Sequence, residues 1–189
     1  MEIDIKGYKV LIDDEDYERM RKHGWCVRVM SQHMIYFRSN ISGFGKGRIS
    51  MLHRFIVGCV PNDGKTVDHI NGNTLDNRKC NLRICTQHEN SRNQRIRKNN
   101  TTGYKGVRIR RQYTHTWDAY IMVDNKQISL GVWDNIEDAA HAYDIAALYY
   151  FGEFARLNFS PENYLGMDII GEYNKVTQTV FRRNGIKRT

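Results

Sequence analysis

Four polar side chains within a stretch of 23 residues offer the chemistry of this chain, namely Asp68, His69, Asn81 and Asn90. The carboxylate of Asp68 is an anionic oxygen ligand of the kind that Mg²⁺ or Mn²⁺ prefers, and the carboxamide of Asn90 offers a neutral oxygen. The imidazole of His69 titrates near neutrality unaided and can take a proton from water. Asn81 is expected either to hold the intervening loop or to orient that imidazole.

Positive charge surrounds these residues. The net charge of the whole chain is +8. Residues 51–100 contain nine Lys and Arg against four Asp and Glu, whereas residues 101–160 contain six against seven. A local basic excess favours a polyanionic partner. A hard-cation site inside this stretch therefore indicates hydrolysis of a phosphodiester, in which the cation neutralises the leaving 3′ oxygen and His69 activates water.

The order of predicted elements can bring the four residues together. Adjacent residues of a flat strand point to opposite faces, so Asp68 and His69 serve one site only if the strand ends or bends beside them. The Asn71-Gly72 pair makes such a bend plausible. The predicted order is a strand at Thr66–Ile70, a loop at Asn71–Asn81, a strand at Leu82–Cys85 and a helix capped by Thr86 and Glu89 that contains Asn90 one turn in.

Residues 51 to about 93 resemble the HNH endonuclease motif, the ββα-metal fold, and in particular its homing-endonuclease branch of phage and bacterial type. The matching segments are Leu52-His53-Arg54, Asp68–Gly72, Asn77-Arg78, Asn81-Leu82-Arg83 and Glu89-Asn90. The resemblance implies that Asp68 and Asn90 are metal ligands, that His69 is the general base and that Asn81 stabilises the loop. Asn90 stands where many members have His, which makes this chain an H-N-N variant.

The rest of the first half shows no catalytic pattern. Residues 1–50 are predicted to be β-rich, and their role is left open. His53 is expected to pack or hydrogen-bond within the fold. The predicted strands are Lys6–Ile12, Trp25–Met30 and Met34–Arg38, with a helix that begins within Asp13–Tyr17.

The four cysteines form no Cys-x-x-Cys pair, so they are expected to be reduced and mostly buried, and no structural zinc is expected. The acidic start of the chain is unlike a signal peptide. Its apolar runs fall short of the roughly 20 residues that a membrane span needs. These features predict a cytoplasmic protein without a membrane partner. The resemblance to homing endonucleases implies that a phage or mobile element encodes it and that the host is a bacterial cell.

A second unit is predicted from residue 103 onward. Its strands are Lys105–Arg110, Trp117–Val123 and Lys126–Trp133, followed by a helix from Asn135 to Gly152. Arg108 and Arg110 share one strand face, with Lys105 near its start. Such a face either enters the major groove of DNA or is an ordinary solvated face of a sheet.

Residues 102–159 are similar to the ethylene-response-factor (Apetala-two) DNA-binding domain of plants. The matching segments are Gly103–Arg108, Trp117-Asp118-Ala119, Leu130-Gly131, Ala139–Asp144 and Leu157-Asn158-Phe159. The resemblance implies a three-stranded sheet laid in the major groove and backed by the helix, with Lys105, Arg108 and Arg110 as contacts. Met122 and Gln127 stand where plant members often have Arg, so sequence specificity is not carried over.

Together these patterns predict an α+β protein, in which a ββα-metal nuclease unit precedes a three-stranded antiparallel sheet packed on one helix. The predicted segments are 1–50, the nuclease at 51–95, a basic linker at 96–102, the Apetala-two-like domain at 103–159 and an extension at 160–189. Phosphate contacts are expected from Arg92, Arg95, Arg97 and Lys98.

The favoured function is that of a DNA endonuclease that uses one divalent metal. Its expected partner is double-stranded DNA, and no small-molecule substrate is expected. The alternative is a DNA-binding regulator with an inert nuclease unit. An RNA-binding protein is a weaker third reading, because exposed aromatic pairs for base stacking are not evident. A monomer and a homodimer are both left open.

Overall fold

The computed structural model describes residues 1–32, 34–40, 49–59, 63–96, 98–110 and 116–183. The chain forms two compact units, Met1–Asn93 and Gln94–Thr189. Each unit has its own apolar core. Arg97, predicted to contact phosphate, lies outside the described residues.

The first unit opens with a hairpin of β1 (Glu2–Ile5) and β2 (Tyr8–Leu11). The sequence predicts one strand over Lys6–Ile12, but Lys6 and Gly7 have φ angles of 53° and 88° and form the turn between two strands. Helix α1 (Asp14–Met20) follows. A second antiparallel sheet is built from β3 (Cys26–Ser31), β4 (Met34–Asn40) and β5 (Ile49–Met51), in the order β3-β4-β5.

The candidate catalytic residues lie on the elements that come next. These are α2 (Leu52–Ile56), the antiparallel pair β6 (Thr66–His69) and β7 (Leu82–Cys85), and α3 (Gln87–Arg92). Strand β6 ends at His69, because the N–H of Gly72 donates to the carbonyl of His69 (2.8 Å) and turns the chain there. The predicted capping box of Thr86 and Glu89 is confirmed at the start of α3.

One apolar core supports all of the first unit. Phe37 and Val10 from the N-terminal sheets pack with Leu52, Val67 and Leu82 from the nuclease motif. The sequence divides the chain at residue 50, whereas this core runs across that position. The N-terminal strands therefore help to position the site, since a ββα motif of about 40 residues is too small to bury a sufficient core alone.

The second unit contains the predicted antiparallel sheet of three strands backed by a helix. Its strands are β8 (Val107–Ile109), β9 (Trp117–Val123) and β10 (Lys126–Trp133), in the order β10-β9-β8, and its helix is α4 (Ile136–Phe151). Asp124 and Asn125 have φ angles of 48° and 63°, as a tight hairpin turn requires. The side chain of Asn135 caps α4 by accepting from the N–H of Glu137 (2.7 Å).

The C-terminal extension packs into the second unit. Tyr164 precedes helix α5 (Ile169–Arg183), and Tyr173 and Val176 of α5 are buried in the same core as α4. The hydroxyl of Tyr164 donates to the buried carboxylate of Asp144 (2.9 Å), which fixes the chain after β10 and α4. Neither α5 nor any other described helix is long and apolar enough to cross a membrane.

All four cysteines are free thiols. Cys59 and Cys85 are buried as expected, but Cys26 and Cys80 are exposed. The expectation of mostly buried thiols is therefore wrong for two of them. Cys26 lies on β3 next to the half-buried Val27 and projects from the opposite, outer face of the sheet.

Gly106→Ala should destabilise the second unit severely. A Cβ at Gly106 would lie 1.9 Å from Cδ2 of the Tyr143 ring, and its φ of +73° disfavours a side chain as well. We expect a loss of about 3 kcal/mol or more in the free energy of unfolding, measured by urea titration with circular dichroism. The matched control Gly103→Ala has a φ of +77° with open space around it, and should lose only about 1 kcal/mol. Equal losses would contradict the role assigned to the Tyr143 contact.

Candidate active site

An ion pair between two facing strands holds the candidate metal ligand Asp68. Asp68 on β6 is directly opposite Arg83 on β7, so both side chains leave the same face of the pair. The Nη2 and Nε atoms of Arg83 lie 2.7 Å and 3.0 Å from Oδ2 of Asp68. Both side chains are about nine-tenths buried. A buried carboxylate requires such a partner to remain charged.

Asn93, at the end of α3, binds the same carboxylate and the end of β6. Its Nδ2 lies 2.9 Å from Oδ2 and 3.2 Å from Oδ1 of Asp68. The same nitrogen lies 3.1 Å from the carbonyl oxygen of His69 and 3.2 Å from that of Ile70. Asn93 therefore fastens α3 to the point where β6 ends. Sequence reasoning missed this residue, although its spacing of three from Asn90 was a signal.

Each of the two candidate metal ligands has an oxygen atom that could still bind a cation. Oδ2 of Asp68 accepts from Arg83 and Asn93, whereas Oδ1 accepts only the longer contact from Asn93 within the described residues. Asn90 lies three residues before Asn93 on α3 and so shares its helical face. Over the described ranges its carboxamide has no hydrogen-bond partner. A carboxylate and a neutral carboxamide fit Mg²⁺ or Mn²⁺, which keep several water ligands.

The candidate base His69 is buried, which favours the neutral form of its imidazole. Its Nε2 lies 3.3 Å from Oδ1 of Asn77, whose own Nδ2 donates to the carbonyl of Thr74 (3.2 Å). Because a carboxamide oxygen can only accept, Nε2 carries the proton and Nδ1 keeps a free lone pair. Burial lowers the pKa of the His69 imidazole below its usual value, more than its contacts with Asn77 and Asp68 raise it. The sequence analysis assigned no role to Asn77.

Asn81 holds the loop between the two strands of the site. Its Nδ2 donates to the carbonyl of Asp76 (2.7 Å), and its Oδ1 accepts from the N–H of Asn71 (3.0 Å). Arg78 forms a fork with the carboxylate of Asp76, at 2.8 Å for each of two hydrogen bonds. That fork lowers the pKa of Asp76. Of the two roles expected for Asn81, these contacts are those of a loop anchor, and Asn77 orients the imidazole.

Aromatic rings surround the imidazole of His69. The ring of His53 lies 5.2 Å from it in an edge-to-face arrangement, and the ring of Tyr36 lies 6.4 Å away. Tyr36 also contacts His53 at 5.5 Å. Burial, and then electrostatic coupling to His69 and Arg54, lowers the pKa of His53 to about 3. The expectation that His53 packs within the fold is confirmed.

The basic residues predicted to contact DNA differ in their surroundings. Arg108 projects from the sheet of the second unit, with Nε at 3.4 Å from Oδ2 of Asp118 and its guanidinium 5.0 Å from the centre of the Tyr120 ring. Arg110 follows the last residue of β8 and is half-buried. Arg95 and Lys98 are exposed, and Arg92 is half-buried at the end of α3.

Lys105 lies outside strand β8, in the turn before Val107. Its ammonium donates to the carbonyl of Gln94 (3.0 Å). Burial, and then the charge of Arg156, lowers the pKa of Lys105 to about 8. The predicted strand began at Lys105, whereas the N–H of Lys105 donates to the side chain of Asn158 (2.6 Å) rather than to a neighbouring strand.

Comparison with known proteins supports the resemblance of the first unit to HNH endonucleases. A family model described as HNH endonuclease matches residues 52–92. The chain is 33% identical over 93 residues to Protein 3.8 of Escherichia phage T7, a match that covers 49% of this chain and 75% of that protein. It is 35% identical over 112 residues to an uncharacterized HNH endonuclease of Acanthamoeba polyphaga mimivirus, over 57% of this chain and 56% of that protein.

The C-terminal region is similar to plant transcription factors. It is 42% identical over 71 residues to an ethylene-responsive transcription factor of Arabidopsis thaliana, a match that covers 32% of this chain. The chain spans only 16% of the length of that protein. The chain therefore belongs to the HNH endonuclease family and carries an Apetala-two-like domain in its C-terminal region.

Two asparagines one turn apart on α3 should respond differently to the same substitution. Asn93→Ala removes a donor from the buried Asp68 and from two carbonyls, and should lower the free energy of unfolding by about 1–3 kcal/mol. Asn90→Ala removes no hydrogen bond between described residues and should change it by less than about 0.5 kcal/mol. Urea titration of both variants measures the difference. A larger loss for Asn90→Ala would show that the two roles have been exchanged.

Proposed function

We propose that this chain is a DNA endonuclease that hydrolyses a phosphodiester with one divalent metal and His69 as general base. The observation that carries the proposal is the arrangement at the end of β6. There a neutral imidazole, with Nδ1 free, adjoins a buried carboxylate that keeps one oxygen available. Membership of the HNH family supports the same reaction.

Asp68 and Asn90 would hold the cation, Mg²⁺ or Mn²⁺. When bound, the ion supplies positive charge against the scissile phosphate and the leaving 3′ oxygen. Arg83 and Asn93 orient the carboxylate of Asp68, because they supply its remaining hydrogen bonds. The proposed ligands are oxygen atoms of a carboxylate and a carboxamide, without a thiolate or an imidazole, and such a set favours a hard ion.

His69 would take the proton from the attacking water at Nδ1. Asn77 fixes the tautomer and the orientation of the ring through Nε2. The rings of His53 and Tyr36 enclose the imidazole on another side and limit its access to water. Asn81 keeps the intervening loop closed, so that the end of β6 stays where His69 and Asp68 can act on one phosphate.

The second unit would guide the nuclease to double-stranded DNA. Arg108 stands on the outer face of the sheet, while Ala119 and Ile121 of β9 point to the core. Arg110 adds a second positive charge just after β8. We propose that the ammonium of Lys105, which lies before β8, contacts a phosphate of the DNA backbone. Further phosphate contacts are proposed for Arg92, Arg95, Arg97 and Lys98. The combination suits a homing endonuclease of phage or mobile-element type, acting in the cytoplasm of a bacterial host.

One observation favours a second function. The guanidinium of Arg83 already neutralises Asp68 at 2.7 Å, as a bound cation would. If the ion pair persists at all metal concentrations, the chain is a DNA-binding regulator with an inert nuclease unit. The two functions differ in one measurable property, which is cleavage in the presence of Mg²⁺ or Mn²⁺.

His69→Ala should abolish nicking of supercoiled plasmid while leaving DNA binding intact. Loss of a general base slows such a reaction by about 10²–10⁴-fold. Gel electrophoresis after incubation with Mg²⁺, Mn²⁺ or EDTA measures nicking, and EDTA should also abolish it. His88→Ala, an exposed position on α3, is the matched control and should nick normally. Unchanged nicking by His69→Ala would remove His69 from the mechanism, and no cleavage by the wild type would favour the regulator.

Arg108→Ala should weaken binding to DNA through loss of a contact on the sheet of the second unit. We expect about 1–3 kcal/mol if Arg108 contacts a base, with reduced discrimination between sequences. Competition binding with a panel of duplexes of different sequence measures both quantities. Lys175→Ala, which removes an exposed charge from α5, is the control. Equal effects of the two substitutions would show that this face of the sheet is an ordinary solvated face that does not contact DNA.

A further inference from the structure

The sheet of β3 and β4 has one apolar face and one basic face. Val27 and Phe37 are paired across the two strands and turn toward the core of the first unit. Because side chains alternate along a strand, the residues next to them lie on the opposite face. Those residues are Cys26 and Arg28 on β3, and Tyr36 and Arg38 on β4.

The register places the two arginines close together. Arg28 is directly opposite Tyr36, and Cys26 is directly opposite Arg38. Arg28 and Arg38 are therefore diagonal neighbours, whose separation in an antiparallel pair is about 7–8 Å. Long guanidinium side chains at that spacing can reach two successive anionic groups on one partner.

This basic face is continuous with the candidate active site through Tyr36. Its ring lies 5.5 Å from the ring of His53 and 6.4 Å from that of His69. Burial and the nearby charge of Asp68 raise the pKa of the Tyr36 phenol, which agrees with a position at the border of the site. A molecule that lies across Arg28 and Arg38 thus reaches His69 by way of Tyr36.

Both arginine side chains are exposed, and among the described residues no carboxylate pairs with either of them. Within the described ranges, the side chains of Arg28 and Arg38 form no ion pair and no hydrogen bond. Other arginines of the first unit are paired with carboxylates, and these are Arg19, Arg21, Arg54, Arg78 and Arg83. Two unpaired guanidinium groups on one face beside a phosphodiesterase site fit a polyanionic partner.

We propose that the outer face of β3 and β4 binds the sugar-phosphate backbone of duplex DNA beside the phosphodiester that is cleaved. This inference rests on the proposed nuclease function and gives a role to residues 1–50, which carry no catalytic pattern. Arg28 and Arg38 grip phosphates, and Tyr36 lines the path from this grip to His69. The contacts are independent of base sequence, because they are made to phosphate.

The double variant Arg28→Ala/Arg38→Ala of the full chain tests this surface. Fluorescence anisotropy with a labelled DNA duplex, in EDTA and over a range of salt concentrations, measures affinity and its salt dependence. We expect affinity to fall about tenfold or more, equally for duplexes of different sequence, and the slope of log K against log salt to fall by about one for each arginine. Circular dichroism of the variant should match the wild type, since both side chains project into solvent.

The matched control is Lys9→Ala/Arg21→Ala, which also removes two positive charges from the first unit. Lys9 and Arg21 are exposed but paired with Asp4 (3.7 Å) and Glu18 (2.8 Å). The control should keep both the affinity and the salt slope of the wild type. An unchanged affinity in the Arg28/Arg38 variant, or an equal loss in both variants, would overturn the proposal.

This experiment separates the surface from the proposed function. Binding is measured without a divalent metal, so its outcome does not depend on cleavage. If the Arg28/Arg38 variant loses affinity while the wild type fails to nick plasmid, the surface stands and the nuclease proposal falls. If the wild type nicks while affinity is unchanged in the variant, the nuclease stands and this surface is wrong.

Discussion

The buried carboxylate of Asp68 is the group on which the first unit depends. An ionised carboxylate away from water is costly unless charged and polar partners surround it. Arg83 supplies the charge from the facing strand, and Asn93 supplies hydrogen bonds from the end of α3. One side chain therefore joins both strands and the helix of the nuclease motif. Because Asn93 also holds the carbonyl of His69, the same contacts fix the backbone of the candidate base.

A buried carboxylate organises the second unit in the same way. Asp144 on α4 accepts from the backbone N–H groups of Asn158 and Phe159 and from the hydroxyl of Tyr164. Burial raises the pKa of Asp144, and these donors oppose that rise. The contacts return the chain after α4 onto the core, so that α5 can bury Tyr173 beside α4. Both oxygens of Asp144 accept several hydrogen bonds, whereas Oδ1 of Asp68 accepts only from Asn93 among the described residues.

In the proposed function, the first unit would hold the hydrolytic centre, and basic faces of both units would bind DNA. The first unit places its base and its carboxylate at the end of one strand, inside a core that the N-terminal sheets complete. The second unit presents Arg108 on a sheet whose opposite face is covered by α4. Phosphate contacts would then supply affinity and the sheet would supply discrimination, which is a common division in DNA recognition.

The sequence by itself determined the elements whose signals are local. The strands Leu82–Cys85, Trp117–Val123 and Lys126–Trp133 match their predicted bounds, because alternation and turn residues act over a few positions. The spacing of Asp68, His69, Asn81 and Asn90 likewise identified the family. Only the tertiary structure showed the contacts of Arg83, Asn77, Asn93 and Tyr36 and the packing of α5. These depend on strand register and on packing between distant segments, which no local pattern encodes.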